Sequence, residues 1–155
     1  MAPTPQEIKS LLEGSISQDL AAQKGSAGGP SQPSIAQHFH DNVDIHINGH
    51  DFQYATQLKG VEAVKAAAAE GGSHADIDKF IDYSKPYDAK VLQVIGGGQQ
   101  TEWAAAVLKA TGTTVNGKPF NHESVITLQF DNNGKITHLK TYADTLHIHN
   151  IINGI

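Results

Sequence analysis

The residues best placed to carry chemistry lie near the end of the chain, where Tyr142 and Asp144 follow a run of alternating apolar and polar residues. A carboxylate that leaves a curved sheet beside aromatic and histidine side chains can act as an acid or a base. Burial beside Tyr142 and apolar walls would raise the pKa of Asp144, as a proton shuttle at neutral pH requires. The structural alternative is a cap, because Asp commonly accepts hydrogen bonds from backbone amides where a turn begins.

Nine histidines are the one compositional oddity of this 155-residue chain. Imidazole titrates near neutral pH, so histidine can serve acid–base or metal chemistry. His122 is a candidate to assist Asp144, because strand alternation puts it on one side with Ser124 and Ile126; an ordinary half-buried histidine is the alternative. Two His-x-His pairs, at 38/40 and 147/149, lack a third ligand at defined spacing, so no metal site is predicted from them.

Aromatic residues supply candidate walls for a binding pocket. Trp103 and Tyr54 are expected in the core or in a pocket wall, and each brings one polar atom that needs a partner. The Tyr54 hydroxyl could donate a hydrogen bond to a substrate oxygen as that oxygen becomes enolate-like. The predicted substrate-binding residues are Tyr54, Trp103, Phe120, His138 and Tyr142.

The first half of the sequence predicts mainly helices. Thr4, Pro5 and Glu7 form an N-cap signature before an amphipathic helix that runs to about residue 23. The Gly- and Pro-rich residues 24–34 predict a flexible loop, and residues 42–48 alternate as a strand with Asp44 and His46 on one face. Further helices are predicted over residues 35–40, 61–70 (ending at the glycines 71–72) and 75–83.

The second half predicts a meander of antiparallel strands, over residues 88–95, 101–111, 122–130 and 135–142. Asn and Gly in the turn at 131–134 tolerate positive φ and join paired strands tightly. Residues 101–111 are ambiguous, because three successive alanines favour helix, whereas strand-like neighbours favour strand; we predict strand. His138, Tyr142 and Asp144 share one side of the last strand, and alternation leaves open which side lines a pocket. This order of elements indicates an α+β fold.

Composition excludes several classes of function. The absence of cysteine excludes disulfides, thiolate metal sites and Cys nucleophiles. The formal net charge is −5 and Lys and Arg form no stripe, which argues against nucleic acid as the main partner. No secretory signal and no membrane-spanning segment is visible, so the cytoplasm is the expected compartment and no membrane partner is expected.

Several motifs together resemble the nuclear-transport-factor-2-like superfamily, especially the SnoaL-like polyketide cyclases. They are FHDNVDIH at 39–46, KGVEAV at 59–64, NGKPF at 116–120 and residues 131–144, which end in Tyr142-x-Asp144. The resemblance implies a cone-shaped α+β fold, in which a curved, mostly antiparallel sheet covered by N-terminal helices surrounds a pocket. It implies one SnoaL-like domain over residues 1–155, with a C-terminal tail at 145–155 that packs across the pocket mouth, against a second subunit, or as an ordinary terminus.

The same resemblance implies a cofactor-independent cyclase, isomerase or dehydratase of polyketide- or terpenoid-like metabolism, acting on a small hydrophobic, oxygenated substrate. Asp144 resembles the acid/base at the end of the last long strand of SnoaL-like cyclases. His46 lies where the superfamily often places a polar group, with a solvated face as the alternative. Thr141 stands where the epoxide hydrolases carry Asp, which argues against epoxide hydrolysis. The alternative function is a noncatalytic ligand-binding or dimerising module, and a homodimer is the expected assembly.

Overall fold

The computed structural model describes residues 1–25, 33–70 and 77–155. These residues form helix α1 (Pro5–Gly25), a 3-10 helix (Ser34–His38), strands β1 (Phe39–Ile47) and β2 (Thr56–Lys59), helix α2 (Val61–Ala69), strands β3 (Asp88–Gly96), β4 (Trp103–Thr113), β5 (Pro119–Phe130) and β6 (Ile136–Ala143), and helix α3 (Thr145–Ile152). Most of the predicted loop at 24–34 and the predicted helix end at 71–72 lie outside the described residues. No helix in the described ranges is long and apolar enough to cross a membrane.

The six strands form one curved sheet in the order β2-β1-β6-β5-β4-β3. Neighbouring strands are antiparallel except β1 and β6, which run parallel. Helix α1 packs against β3, and α2 packs against β1 and β2. The predicted α+β fold with a mostly antiparallel sheet is therefore confirmed.

Helix α1 begins where the N-cap signature predicted. The Glu7 carboxylate accepts hydrogen bonds from the Thr4 backbone N–H, at 2.7 Å, and from the Thr4 hydroxyl, at 2.8 Å. In return, the Glu7 backbone N–H donates to the Thr4 hydroxyl oxygen at 3.3 Å, so this reciprocal cap satisfies a backbone donor that the first turn of a helix leaves free. Ile8 and Leu12 of α1 are buried in the main core, with Leu128 and Phe130 of β5.

The hairpin β5–β6 follows the predicted turn chemistry. Asp131 Oδ1 accepts hydrogen bonds from the backbone N–H groups of Asn133, at 2.8 Å, and Lys135, at 2.9 Å. Gly134 has φ +75°, a conformation that L side chains rarely adopt. Most of residues 101–111, predicted as strand, belong to β4. Pairing of this segment with both β3 and β5 overrides the helix propensity of its alanines.

The structure corrects two local predictions and shows a helix in the C-terminal tail. Residues 77–78 are helical, but the predicted helix does not continue to residue 83, because Ile81 pairs with Thr114 as a β-bridge. Strand β2 was not predicted, since its four residues are too few for alternation to be read. The tail contains helix α3, which begins immediately after Asp144.

Candidate functional site

A cavity of about 730 Å³ lies between the inner face of the sheet and the helical layer. Its volume is within the range of small-molecule sites in proteins, roughly 300–1,000 Å³. Apolar side chains from α1, the sheet and α3 form much of the wall, including Leu12, Leu20, Leu108, Ile126, Leu139 and Ile148. Ala110 of β4 also lines it, as expected for a strand whose small side chains leave room.

His122 is the histidine that the fold places in this wall. Alternation along β5 turns Phe120, His122, Ser124 and Ile126 toward the cavity. The Nδ1 atom of His122 is buried and has no hydrogen-bond partner among the described residues. Buried polar atoms are normally paired, so an unpaired imidazole nitrogen in a cavity wall points to a role other than structural hydrogen bonding.

The surroundings keep the His122 imidazole neutral. Burial lowers its pKa most, the charge of His147 lowers it further, and Asp144 acts in the opposite direction. A neutral imidazole has one nitrogen that donates a hydrogen bond and one that accepts, so it can take up a proton at neutral pH.

Helix α3 fixes His147 beside this group. Asp144 caps α3 by accepting a hydrogen bond from the His147 backbone N–H at 3.0 Å. The Nε2 atom of His147 accepts a hydrogen bond from the Asn121 backbone N–H at 3.2 Å. The rings of Phe120, His122 and His147 are then nearly parallel, with centroids 5.7 to 6.4 Å apart.

The expected burial of Asp144 is wrong. Its side chain is exposed and does not line the large cavity. Along β6 the cavity side is formed by Leu139, Thr141 and Ala143, so the residues of even number lie on the outer face, the side of the sheet away from the cavity. The N-cap, which was the alternative for Asp144, is the contact that the structure shows.

Four more predicted site residues lie on the outer face. His138 and Tyr142 share the parity of Asp144 on β6, and Tyr142 is 42% exposed.

Trp103 is 44% exposed because alternation along β4 buries Ala104 and Ala106 instead. Its ring contacts that of His138, with centroids 5.8 Å apart. His46 pairs in register with Lys140, while Ile47 beside it lines the cavity. None of these four side chains lines the cavity.

Phe120 and Tyr54, two of the predicted binding residues, line the cavity. Tyr54 contacts Phe52 edge to face, with ring centroids 5.7 Å apart. Together with His122, they are the predicted site residues that the fold brings to one wall.

A second polar group in the cavity was missed from sequence. Asp78 accepts a hydrogen bond from the Tyr83 hydroxyl at 2.6 Å and one from Gln23 Nε2 at 2.7 Å. Tyr87 lies beside Tyr83, with ring centroids 5.1 Å apart. All four line the cavity. They come from α1 and from residues 78–87 before β3, of which only the first is helical, so periodicity does not indicate which way the two tyrosines point. The Tyr-x3-Tyr spacing was the available signal.

The register of the sheet relates the two polar groups. Ala89 pairs with Ala110, which pairs with His122, so a row across three strands links them. Strands in a sheet are spaced roughly 4.8 Å apart, which puts the backbone of His122 roughly 10 Å from that of Ala89, two residues beyond Tyr87. Among the residues with described positions, no group of three His, Asp or Glu is arranged to hold a metal ion.

The fold and the cavity define an α+β protein with an apolar pocket that contains a few polar groups. Its fold is that of the NTF2-like proteins. An NTF2-like protein from Burkholderia thailandensis superposes with a TM-score of 0.63 at 17% identity, covering 95% of each chain. A candidate isomerase from Rhodopseudomonas palustris gives 0.59 at 19% identity, covering 92% of this chain and 96% of that one.

A third similar structure is SalBIII, an epoxide hydrolase/cyclase-like enzyme in pyran ring formation in the polyether salinomycin. It superposes with a TM-score of 0.54 at 15% identity, covering 92% of this chain and 94% of that one. No protein-family model and no curated protein sequence matches the chain. Identities this low establish the fold, and function must be argued from the site.

Proposed function

We propose that this protein is a cofactor-independent enzyme that moves a proton on a small, mainly apolar, oxygenated molecule, as in isomerisation, cyclisation or dehydration. The observation that carries the proposal is His122, a partly buried imidazole in the cavity wall whose buried Nδ1 atom has no partner among the described residues. Two similar structures, the candidate isomerase and the cyclase-like SalBIII, support a reaction of this kind.

In this proposal His122 is the general base. Its lowered pKa keeps it unprotonated at neutral pH, ready to accept a proton from a carbon or hydroxyl group of the substrate. The apolar wall excludes water and orients the substrate beside the imidazole. Asp144 acts indirectly, because its cap holds α3 and thereby His147 next to His122.

Proton transfer can be tested before the natural substrate is identified. A panel of cyclic ketones and hydroxyketones is incubated with the protein in heavy water, and mass spectrometry measures how much deuterium each ketone takes up. We expect the protein to accelerate uptake at the α-carbon of some of these ketones. Exchange no faster than in buffer for every ketone that binds would contradict the enzymatic proposal. It would favour the noncatalytic binding module, which takes up the same molecules without exchange.

We also propose that the outer face of the sheet forms a homodimer. The register places Val107, Val125 and Tyr142 in one row across β4, β5 and β6 on that face. Trp103 and Ile95 are exposed apolar side chains on neighbouring outer positions. Exposed apolar side chains grouped on one face of a sheet are typical of an association surface.

A further inference from the structure

The Tyr87 hydroxyl is a hydrogen-bond donor without a partner among the described residues, and it belongs to a side chain that lines the cavity. Its ring is held between two neighbours. Gly112 makes room on one side, since a Cβ atom there would lie 2.9 Å from Tyr87 Cδ2. Tyr83 packs on the ring at a tilt of 60°. A phenol fixed in this way is preorganised, so little conformational entropy is lost when a ligand binds it.

The neighbouring hydroxyl is already engaged. Tyr83 donates its proton to Asp78 Oδ1, and Gln23 donates to Asp78 Oδ2, so both carboxylate oxygens have partners. This arrangement ties α1 to the segment before β3 and fixes the position of Tyr83 against Tyr87. Tyr87 is thus the phenol of the pair that is free to donate to a ligand.

The charges that act on the Tyr87 phenol are those of acidic side chains. Burial, then the charges of Asp78 and Asp88, raise the pKa of Tyr87 to about 12. Burial and the hydrogen bond to Asp78 raise the pKa of Tyr83 as well, with Asp19 adding to the effect.

The lysines at this wall already have partners: Lys90 lies 3.6 Å from Asp88, Lys109 lies 3.3 Å from Glu123, and Lys79 also has an interaction partner. A field that keeps the phenol protonated also opposes an anionic ligand.

We infer that Tyr87 is the specificity-determining hydrogen-bond donor of the cavity, which binds a carbonyl or hydroxyl oxygen of an uncharged ligand, and that Asp78 beside it excludes carboxylates. The inference deepens the proposed function, because it concerns the same cavity and names the class of ligand. A substrate that met both polar groups would carry its oxygen at Tyr87 and its acidic C–H or O–H bond near His122. Gln23, Asp78 and Tyr83 are positioning residues, since they act through Tyr87.

Two isosteric fluorescent probes test this selectivity: 2-acetylnaphthalene, a neutral ketone, and 2-naphthoate, its carboxylate counterpart. We expect the wild-type protein to bind the ketone at least about tenfold more tightly than the carboxylate, because the charge of the bound carboxylate would be buried without a partner. Tyr87→Phe should weaken ketone binding by about three- to tenfold, the effect of losing one hydrogen bond. The matched control Tyr142→Phe removes the same hydroxyl from the outer face and should leave both affinities unchanged.

A second variant tests the electrostatic part without removing the phenol. Asp78→Asn should reduce the ratio of the affinities for the ketone and the carboxylate to within about threefold. It should also lower the pKa of Tyr87, which ultraviolet titration measures by comparison with Tyr87→Phe. Equal binding of the probes to the wild type, no binding of either probe, or unchanged ketone affinity in Tyr87→Phe would overturn the inference. These measurements record binding alone, so they are separable from the proposed function, which fails when ketones bind but undergo no exchange.

Discussion

The imidazole rings of His122 and His147 lie nearly parallel, with centroids 6.4 Å apart and planes inclined by 13°. A positive charge on His147 opposes protonation of His122, because two like charges at this distance repel. His147 accepts a hydrogen bond at Nε2, so its proton in the neutral form is on Nδ1. The pair therefore favours a neutral His122, the form that a general base requires.

The lowered pKa of His122 predicts a loss of stability in acid. In the unfolded chain His122 titrates near its ordinary pKa of 6.5, so between the folded and unfolded pKa values the unfolded state binds more protons. The contribution of His122 to the free energy of unfolding is thus fully retained above about pH 6.5, and it is lost as the pH falls through that window.

Urea denaturation at a series of pH values measures this loss. His122→Gln should show a shallower fall below about pH 6.5 than the wild type. His38 also has a pKa lowered by burial and by the charge of Lys135, and its contribution stays in both proteins. Identical pH dependence in the two proteins would contradict the shift at His122.

Variants of Asp144 distinguish a helix cap from a catalytic acid. Asp144→Ala should lower the free energy of unfolding by about 1 kcal/mol, whereas Asp144→Asn should retain most of it, because Asn caps helices as well as Asp. Proton exchange by Asp144→Asn should stay close to that of the wild type. A fall of about 10²-fold or more in a folded Asp144→Asn protein would restore the acid/base role that the sequence predicted.

A pair of glycine substitutions tests the close approach of Tyr87. Gly112→Ala should destabilise the protein by about 1–3 kcal/mol, because the new Cβ would overlap the Tyr87 ring. Gly14→Ala, within α1 and with no atom within 4 Å of the new Cβ, should stabilise it by about 0.5–1 kcal/mol. Thermal or urea unfolding measures both; equal effects would mean that the Tyr87 ring does not pack against Gly112.

Sedimentation tests the proposed dimer. The wild type should sediment as a dimer at micromolar concentration, and Val125→Glu should sediment as a monomer, since a charge in the centre of the outer face would be buried between the two subunits. Val115→Glu, in the exposed turn between β4 and β5, is the matched control and should leave the dimer intact. A wild-type monomer at all concentrations would exclude this assembly.

Much of the fold could be predicted because local patterns and tertiary packing agree. The Thr4–Glu7 cap, the Asp131 turn and the alternation along β5 each determine structure over a few residues, and the sheet preserves them. His122 was correctly placed with Ser124 and Ile126 for the same reason.

The candidate site was harder to predict because it depends on which face of each strand turns inward. Both faces of β6 are mixed, so the sequence did not show that Thr141 rather than Tyr142 lines the cavity. Trp103 and His46 were misplaced for a related reason: their size or charge suggested a role, but strand parity turns them outward. Asp78 is the last helical residue of its segment and Tyr87 lies in the irregular structure that follows, so tertiary contacts determine the direction of both side chains.

The most direct test of the central claim compares two histidine variants in the deuterium-exchange assay. His122→Gln removes the base from the cavity wall, and His138→Gln makes the same change on the outer face, where the ring contacts Trp103. We predict that His122→Gln loses about 10²–10⁴-fold of the exchange rate while it still binds the ketone, and that His138→Gln keeps the wild-type rate. Undiminished exchange by a folded His122→Gln protein would contradict the claim that His122 is the base.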